Sequence, residues 1–186
     1  MLYIVVALKS EAQAFVDTFK LQKSKLGNHL FFNHKDFKLI VSGVGSHNSR
    51  QATQTLLNHF DIEHNDIFIN FGVCGAKHPI GSFVLAQTLC YQEQCYPLPP
   101  TNTQEDCTLV TLTCLDEGCN TQGVYETVDM ESFGFYDAVV HNPAIKQFYI
   151  FKVVSDNFQP HTLTKEGVKQ LLFQKITPLF EFLRQT

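Results

Sequence analysis

Ile67-Phe68-Ile69-Asn70-Phe71 is a nearly unbroken apolar run, and Gly72-Val73-Cys74-Gly75 follows it at once. A strand wetted on one side alternates apolar and polar residues; a run without alternation belongs to a strand buried on both faces. Leu2 to Ala7 and Phe148 to Val154 have the same character. Between such runs lie stretches with helical spacing. Ser10 and Gln13 resemble a capping box and predict a helix to about Phe19. Ala52, Leu56 and Phe60 give an apolar face to a helix entered near Asn48. Met130 to Val140 has helical length. From Thr164 to Arg184, Val168, Leu171, Leu172, Ile176, Leu179, Phe180 and Leu183 fall on one stripe, with Pro178 expected to kink or restart the helix. Buried strands alternating with helices predict an α/β fold: a three-layer α/β/α sandwich around a central, mostly parallel or mixed sheet.

Leu30–Asn33 and Phe37–Val41 flank His34-Lys35-Asp36 and read as a hairpin; Ser82–Tyr91 and Cys107–Leu115 read as strands. Pro97, Pro99 and Pro100 begin a polar loop that continues through Asp106, and Gly118–Thr127 is irregular. There is no internal repeat, low-complexity tract or linker, so residues 1–186 read as a single domain.

Composition narrows the function. Hydrophobic residues make up 44% of the chain and charged residues 17%, which excludes a disordered or charged-coil protein. The net charge of −4 argues against a general nucleic-acid binder. Arginine occurs only at Arg50 and Arg184, so phosphate-gripping residues are scarce. The N-terminal apolar run is too short to span a membrane and lacks the features of a signal peptide. A soluble, cytoplasmic protein without membrane attachment is expected. Four residues separate Cys90 from Cys95 and Cys114 from Cys119. Neither pair has a histidine cluster nearby, so reduced, partly buried thiols are expected rather than a metal site or a disulfide. The eight histidines are dispersed, and no metal or other cofactor is expected.

In an open α/β sheet, ligands collect at the carboxyl ends of the strands. Ser42-Gly43-Val44-Gly45-Ser46-His47-Asn48 is a glycine turn that leaves a strand and enters a helix. Asn48 stands where a dinucleotide fingerprint would place its third glycine. That leaves a tight turn, or a helix N-terminus facing a ligand anion or hydroxyl. Glu11 follows the first strand, Glu131 opens a helix in Val128-Asp129-Met130-Glu131-Ser132, and Asp156 follows a strand in Val153-Val154-Ser155-Asp156. Each alone reads as a cap or a solvated carboxylate; together they could share one pocket and divide acid and base roles. His47 and His78 adjoin the glycine turns and are candidate ligand contacts or solvated loop residues.

Taken in order, Ala7-Leu8 with Glu11, Ser42-Gly43-Val44-Gly45, Ile69-Asn70-Phe71-Gly72-Val73-Cys74-Gly75-Ala76, Val128-Asp129-Met130-Glu131-Ser132 and Val153-Val154-Ser155-Asp156 resemble the nucleoside phosphorylase superfamily. The similarity is nearest to the methylthioadenosine/S-adenosylhomocysteine nucleosidases, with futalosine hydrolases close by. It runs from Met1 to about Phe182, and the chain lacks a helix that family members carry in the middle. The resemblance implies a nucleoside phosphorylase-like fold and hydrolysis of the N-glycosidic bond of a purine nucleoside, such as methylthioadenosine, S-adenosylhomocysteine or another 5′-modified nucleoside. It places the chain in nucleoside metabolism with methionine salvage, and implies a homodimer. By the same resemblance Glu11 orients the attacking water and Asp156, beside Ser155, protonates the purine at N7. Met130 packs on the sugar and Glu131 accepts bonds from its hydroxyls. Val128 and Gly72 belong to the same substrate-binding motifs. Lys152 stands where the nucleosidases carry arginine, and Val73 where they carry serine. The base-stacking phenylalanine of the family maps to no one position near Leu115–Gly123.

The chemistry suits these residues, because N-glycosidic cleavage passes through an oxocarbenium-like state. It needs an acid at the base, a water opposite, and negative charge near the sugar. Phosphorolysis would need cations for an anionic nucleophile, and Arg50 is the candidate. The alternatives are a purine nucleoside phosphorylase, a catalytically weakened nucleoside-binding relative, and an α/β structural or regulatory partner protein whose acids are ordinary caps. The arrangement of Glu11, Glu131 and Asp156 separates them: one shared cleft favours an enzyme or binder, whereas scattered acids favour neither.

Overall fold

The computed structural model describes residues 1–101, 107–121 and 123–185. Residues 102–106 of the predicted polar loop, and Gln122, lie outside the described residues.

Strands β1 (Leu2–Val6), β4 (Phe37–Val41), β5 (Ile67–Ala76) and β10 (Gln147–Asp156) form the parallel centre of the sheet, in the order β10-β5-β1-β4. Their apolar runs divide by the alternation of a strand. Leu2, Ile4 and Val6 of β1 join one hydrophobic cluster, and Tyr3 and Val5 join the other. The first cluster is covered by α1 (Lys9–Phe19) and α4 (Lys165–Gln185), and the second by α2 (Ser46–His59) and α3 (Ser132–Val140). The three-layer α/β/α arrangement therefore follows from strands that are apolar on both faces. Phenylalanine does much of the filling: Phe15, Phe37, Phe68, Phe71, Phe135, Phe151 and Phe182 are fully buried.

The sheet is mixed. At one edge β3 (His29–Asn33) pairs antiparallel with β4, and β2 (Lys23–Leu26) pairs antiparallel with β3. On the other side β6 (Phe83–Tyr91) runs antiparallel to β10 and parallel to β8 (Cys107–Cys114). The short β9 (Thr127–Asp129) joins β8 back to β5, which closes a five-stranded ring β5-β10-β6-β8-β9. Cys74, Ala76, Val84, Val110 and Val154 form a separate apolar cluster within these strands.

Several expectations are corrected. The helix after β1 begins at Lys9, and its first turn is satisfied by Glu11 rather than by Ser10. The second helix begins at Ser46, two residues before Asn48. The third begins at Ser132, because Asp129 takes the Ser132 N–H and leaves Met130 and Glu131 outside the helix. α4 runs through Pro178 as one helix, its stripe Val168, Leu172, Ile176 and Leu179 held against the sheet. Cys90 and Cys95 form a disulfide, contrary to the expectation of reduced thiols. The reason is β7 (Gln94–Pro97): a tight hairpin with β6 sets the two cysteines directly opposite each other. Between β8 and β9 the described residues contain no helix.

Candidate active site

The carboxyl ends of the strands converge. Residues 7–11 follow β1, 42–45 follow β4, 115–119 follow β8, 129–131 end β9 and open α3, and 155–156 end β10. Together with 73–75 of β5 they enclose a cavity of about 240 Å³. Glu11, Glu131 and Asp156, brought from three distant parts of the chain, all line it and are 1%, 8% and 4% exposed. Val73, Val128, Met130 and Ser155 also line it. Gly72 and Lys152 do not; they sit behind the wall.

Glu11 is held by three backbone N–H groups. Ala7 and Leu8 donate to Oε2 at 2.8 Å each, and Val73 donates to Oε1 at 3.0 Å. Burial raises its carboxyl above the ordinary value, against these hydrogen bonds and the nearby Lys152 charge. Gly72 is required by this approach: a Cβ there would lie 2.7 Å from Glu11 Oε1. Oε1 accepts a single N–H and keeps a lone pair for a water.

Glu131 receives the Gly45 N–H on Oε1 at 2.9 Å, so the glycine turn serves a carboxylate of the protein itself. Gly45 has φ 100°, which glycine adopts without strain. Burial, and after it the Asp129 charge, push Glu131 up to about 7, despite Lys152.

Asp156 follows an irregularity in the β5–β10 register between Val154 and Asp156, so Ser155 is the extra residue. Such bulges re-aim side chains. Gln159 N–H donates to Oδ1 at 2.6 Å, and Ser155 Oγ lies 2.9 Å from Oδ2. Ser155 Oγ is also 3.1 Å from the Cys74 carbonyl, and its one proton serves one acceptor at a time. Ser155 thus links Asp156 Oδ2 to the Cys74 carbonyl.

Asp129, which the sequence reading did not single out, also lines the cavity. Its Oδ2 lies 2.7 Å from Lys152 Nζ and accepts the Ser132 N–H at 3.0 Å, while Ser132 Oγ donates to Oδ1 at 2.6 Å. Lys152 is 2% exposed. Burial alone would lower it, but Asp129, Glu131 and Glu11 together hold it above its ordinary value, as a cation. The signal was present: an aspartate between two apolar residues, Val128 and Met130, three residues ahead of Ser132, has the spacing of a helix cap.

Other candidates lie elsewhere. Arg50 Nε is 2.9 Å from Asp137 Oδ2, tying α2 to α3, and Arg184 is near the end of α4. Neither lines the cavity, nor do His47 and His78; His78 Nε2 lies 3.4 Å from Glu126 Oε1. No aromatic residue lines it among those described; Leu115, Cys119, Pro160 and Leu163 offer aliphatic and thiol surface instead. No group of three or more metal-ligating side chains occurs among the described residues, and no helix is long and apolar enough to cross a membrane.

No family model matches this sequence, and no curated protein matches it. Solved structures do. The methylthioadenosine/S-adenosylhomocysteine nucleosidase of Streptococcus pneumoniae, with a transition-state inhibitor, superposes with a TM-score of 0.77 at 18% identity, covering 98% of each chain. A mutant Helicobacter pylori nucleosidase with 5′-methylthioadenosine in its active site gives 0.77 at 13% identity, covering 100% of this chain and 98% of that one. The H. pylori futalosine hydrolase gives 0.76 at 13% identity, covering 100% and 97%. At these identities the likeness is one of fold: the chain has the architecture of these nucleosidases.

Proposed function

We propose that the protein is a nucleosidase that hydrolyses the N-glycosidic bond of a purine nucleoside. The observation that carries this reading is the convergence of Glu11, Glu131 and Asp156 on one cavity at the carboxyl ends of the strands. In this reading the base lies toward Asp156 and the ribose hydroxyls toward Glu131, with Met130 against the sugar. As the acid, Asp156 would deliver a proton from Oδ2, since Oδ1 is committed to the Gln159 N–H. Transfer of that proton to N7 makes the base a neutral leaving group. Positive charge then develops on the sugar, where the Glu131 and Glu11 carboxylates lower its energy. Glu11 Oε1 holds the water and takes its proton as the new bond to the sugar forms.

Water is favoured over phosphate as nucleophile. No lysine, arginine or histidine lines the cavity among the described residues, and Lys152 is committed to Asp129. A phosphorylase would place an anion beside three carboxylates with no cation facing it. Val73 contributes only its N–H to Glu11 and presents methyl groups to the cavity. The water is therefore loosely held, and hydrolysis of ordinary adenine nucleosides is expected to be slow. The homodimer and the cytoplasmic location belong to the same proposal; mass in solution tests the first.

The test is release of free base from a nucleoside panel, with and without phosphate. Base should be released without phosphate, and phosphate should not stimulate it. Asp156→Asn should lower turnover at least about 100-fold, with ground-state binding changed far less. Wild-type turnover by that variant removes Asp156 as the acid, and dependence on phosphate makes the protein a phosphorylase.

A further inference from the structure

The Cys90–Cys95 disulfide crosses the β6–β7 hairpin, and little in the hairpin itself holds it shut. β7 is four residues long and mostly exposed, and among the described residues it pairs with β6 alone. The turn passes through Gln92 at φ 54°, in the left-handed region that glycine and asparagine enter at less cost. Pro97 ends the strand and has no N–H to give to the ladder. A two-stranded hairpin of this kind is marginal by itself. The cross-link is what fixes it. Cys95 is exposed and Cys90 partly so, which leaves the bond open to thiols in solution. Exposed disulfides are the ones that exchange readily.

The residues beside the two cysteines reach the candidate active site. Tyr91, next to Cys90, donates its hydroxyl to Asp116 Oδ1 at 3.0 Å and stacks its ring on Phe133, with centroids 4.0 Å apart. Asp116 stands between Leu115 and Glu117, and both of these line the cavity. Phe133 lies in the first turn of α3, just after Met130 and Glu131. Tyr96, next to Cys95, packs on Phe133 and Tyr136 at 5.9 and 5.2 Å. The cross-link therefore steadies two walls of the cavity, the 115–119 segment and the start of α3. Glu11 and Asp156 are held by other means: their printed partners are Ala7, Leu8, Val73, Ser155 and Gln159, none of them in the hairpin.

We propose that the Cys90–Cys95 disulfide is a redox-sensitive clamp: its reduction opens the β6–β7 hairpin and, through Tyr91, loosens the 115–119 wall and weakens nucleoside binding. The reductant is a small dithiol. One of its thiolates attacks a hairpin sulfur and releases the other as a thiolate, and its second thiol then displaces the first. Two electrons and two protons pass to Cys90 and Cys95, and the dithiol becomes a cyclic disulfide. The inference rests on the nucleoside-binding reading of the cavity, and it adds a control on that binding.

The experiment compares the natural protein, before and after dithiothreitol, with Cys90→Ser/Cys95→Ser and Tyr91→Phe. Thiol titration of the unfolded protein should count four free cysteines before reduction, and the hairpin pair should join them afterwards. Amide hydrogen exchange over residues 115–119 should quicken about threefold or more on reduction, and KM for base release should rise by a similar factor, the worth of one lost hydrogen bond. kcat should change by less than about twofold, since the groups that do the chemistry are held elsewhere. The double serine variant should match the reduced protein and ignore dithiothreitol. Oxidised Tyr91→Phe, which keeps the disulfide, should exchange faster over the same residues. Exchange or KM that reduction leaves unchanged, a response that survives in the double serine variant, natural exchange in Tyr91→Phe, or free thiols at both cysteines before reduction each overturn the clamp and leave the nucleosidase reading standing. No base release from any nucleoside, with calorimetric nucleoside binding that weakens on reduction, supports the clamp and removes the hydrolase. Failure of every nucleoside to bind overturns both.

Discussion

Lys152 and Asp129 illustrate how much of the candidate site depends on residues behind its wall. Lys152 is a cation set among Asp129, Glu131 and Glu11, and its pair with Asp129 is buried. Removing one partner of such a pair strands the other as a buried, uncompensated charge, at a cost of about 3–5 kcal/mol. Lys152→Met should therefore destabilise the protein by roughly that amount in denaturant unfolding. Asp129→Asn added to it should recover part of the loss, because asparagine still accepts from Ser132. Equal stability of Lys152→Met and the natural protein would show that the pair contributes little. Val73 is the opposite case, a side chain in the wall that holds nothing. Val73→Ser supplies a hydroxyl next to the Glu11 oxygen that the Val73 N–H already holds. It should raise base release by about tenfold or more, since orientation losses at a reacting water cost orders of magnitude. An unchanged rate would mean that the water is held elsewhere. The candidate acids were legible in the sequence because each follows an apolar strand or opens a helix. Asp129 was not, since a capping aspartate and a buried ion-pair partner look alike until Lys152 is brought across from β10.

Helices α2 and α3 cross where Gly134 lies against the first residue of α2. A Cβ on Gly134 would stand 1.8 Å from the Ser46 carbonyl oxygen and 3.0 Å from the Arg50 nitrogen. Both are backbone atoms of a helix, so the helices must separate to admit it. Alanine gains about 1 kcal/mol of helix propensity over glycine, but overpacking of this kind costs about 1–3 kcal/mol or more. The clash wins, and Gly134→Ala should lower stability in urea. It should also weaken nucleoside binding, because displacing Ser46 moves the neighbouring Gly45 N–H that holds Glu131. A variant as stable as the natural protein would show that the crossing tolerates the separation. Elements with strong apolar runs, β1, β5 and β10, were readable from the sequence because burial on both faces leaves no alternation. β2 was not: Lys23-Ser24-Lys25-Leu26 is an exposed edge held by pairing with β3, which no local pattern reports. β9 is three residues long and exists because β8 and β5 flank it. β7 was hidden by Pro97, which ends it, and by the prolines that follow, and with it the Cys90–Cys95 disulfide.

Over the whole molecule, burying Glu11 and Glu131 adds a pH dependence to stability whose direction is opposite to that of most acid groups. Glu131 is raised from 4.5 to about 7, and Glu11 is raised as well, in both cases by burial first. Between the ordinary value and the raised one, the folded chain keeps a proton that the unfolded chain has released. The contribution of Glu131 to stability is therefore fully present below the ordinary carboxylate range, falls through this window and levels off above about pH 7, and Glu11 contributes in the same direction. Lys152 is raised too, but its contribution is fully present below its ordinary value and so stays constant across this window. Glu131→Gln keeps the shape and has no proton to lose. At pH 8 that variant should unfold at a higher temperature than the natural protein, and at pH 5 the difference should shrink. Nucleoside binding should move the other way, because a carboxylate accepts the ribose hydroxyls more strongly than an amide does. The natural protein should therefore gain affinity for nucleosides as pH rises through about 7, as Glu131 ionises, and the variant should not. Thermal unfolding of both proteins at the two pH values, with and without nucleoside, measures both effects. A glutamine variant less stable than the natural protein at pH 8 would show that the charged Glu131 stabilises the fold. A nucleoside affinity equal in the two proteins would separate Glu131 from the sugar. The expected combination, stability sacrificed above neutral pH for a charge facing the sugar, is the signature of a site shaped by what it binds rather than by folding.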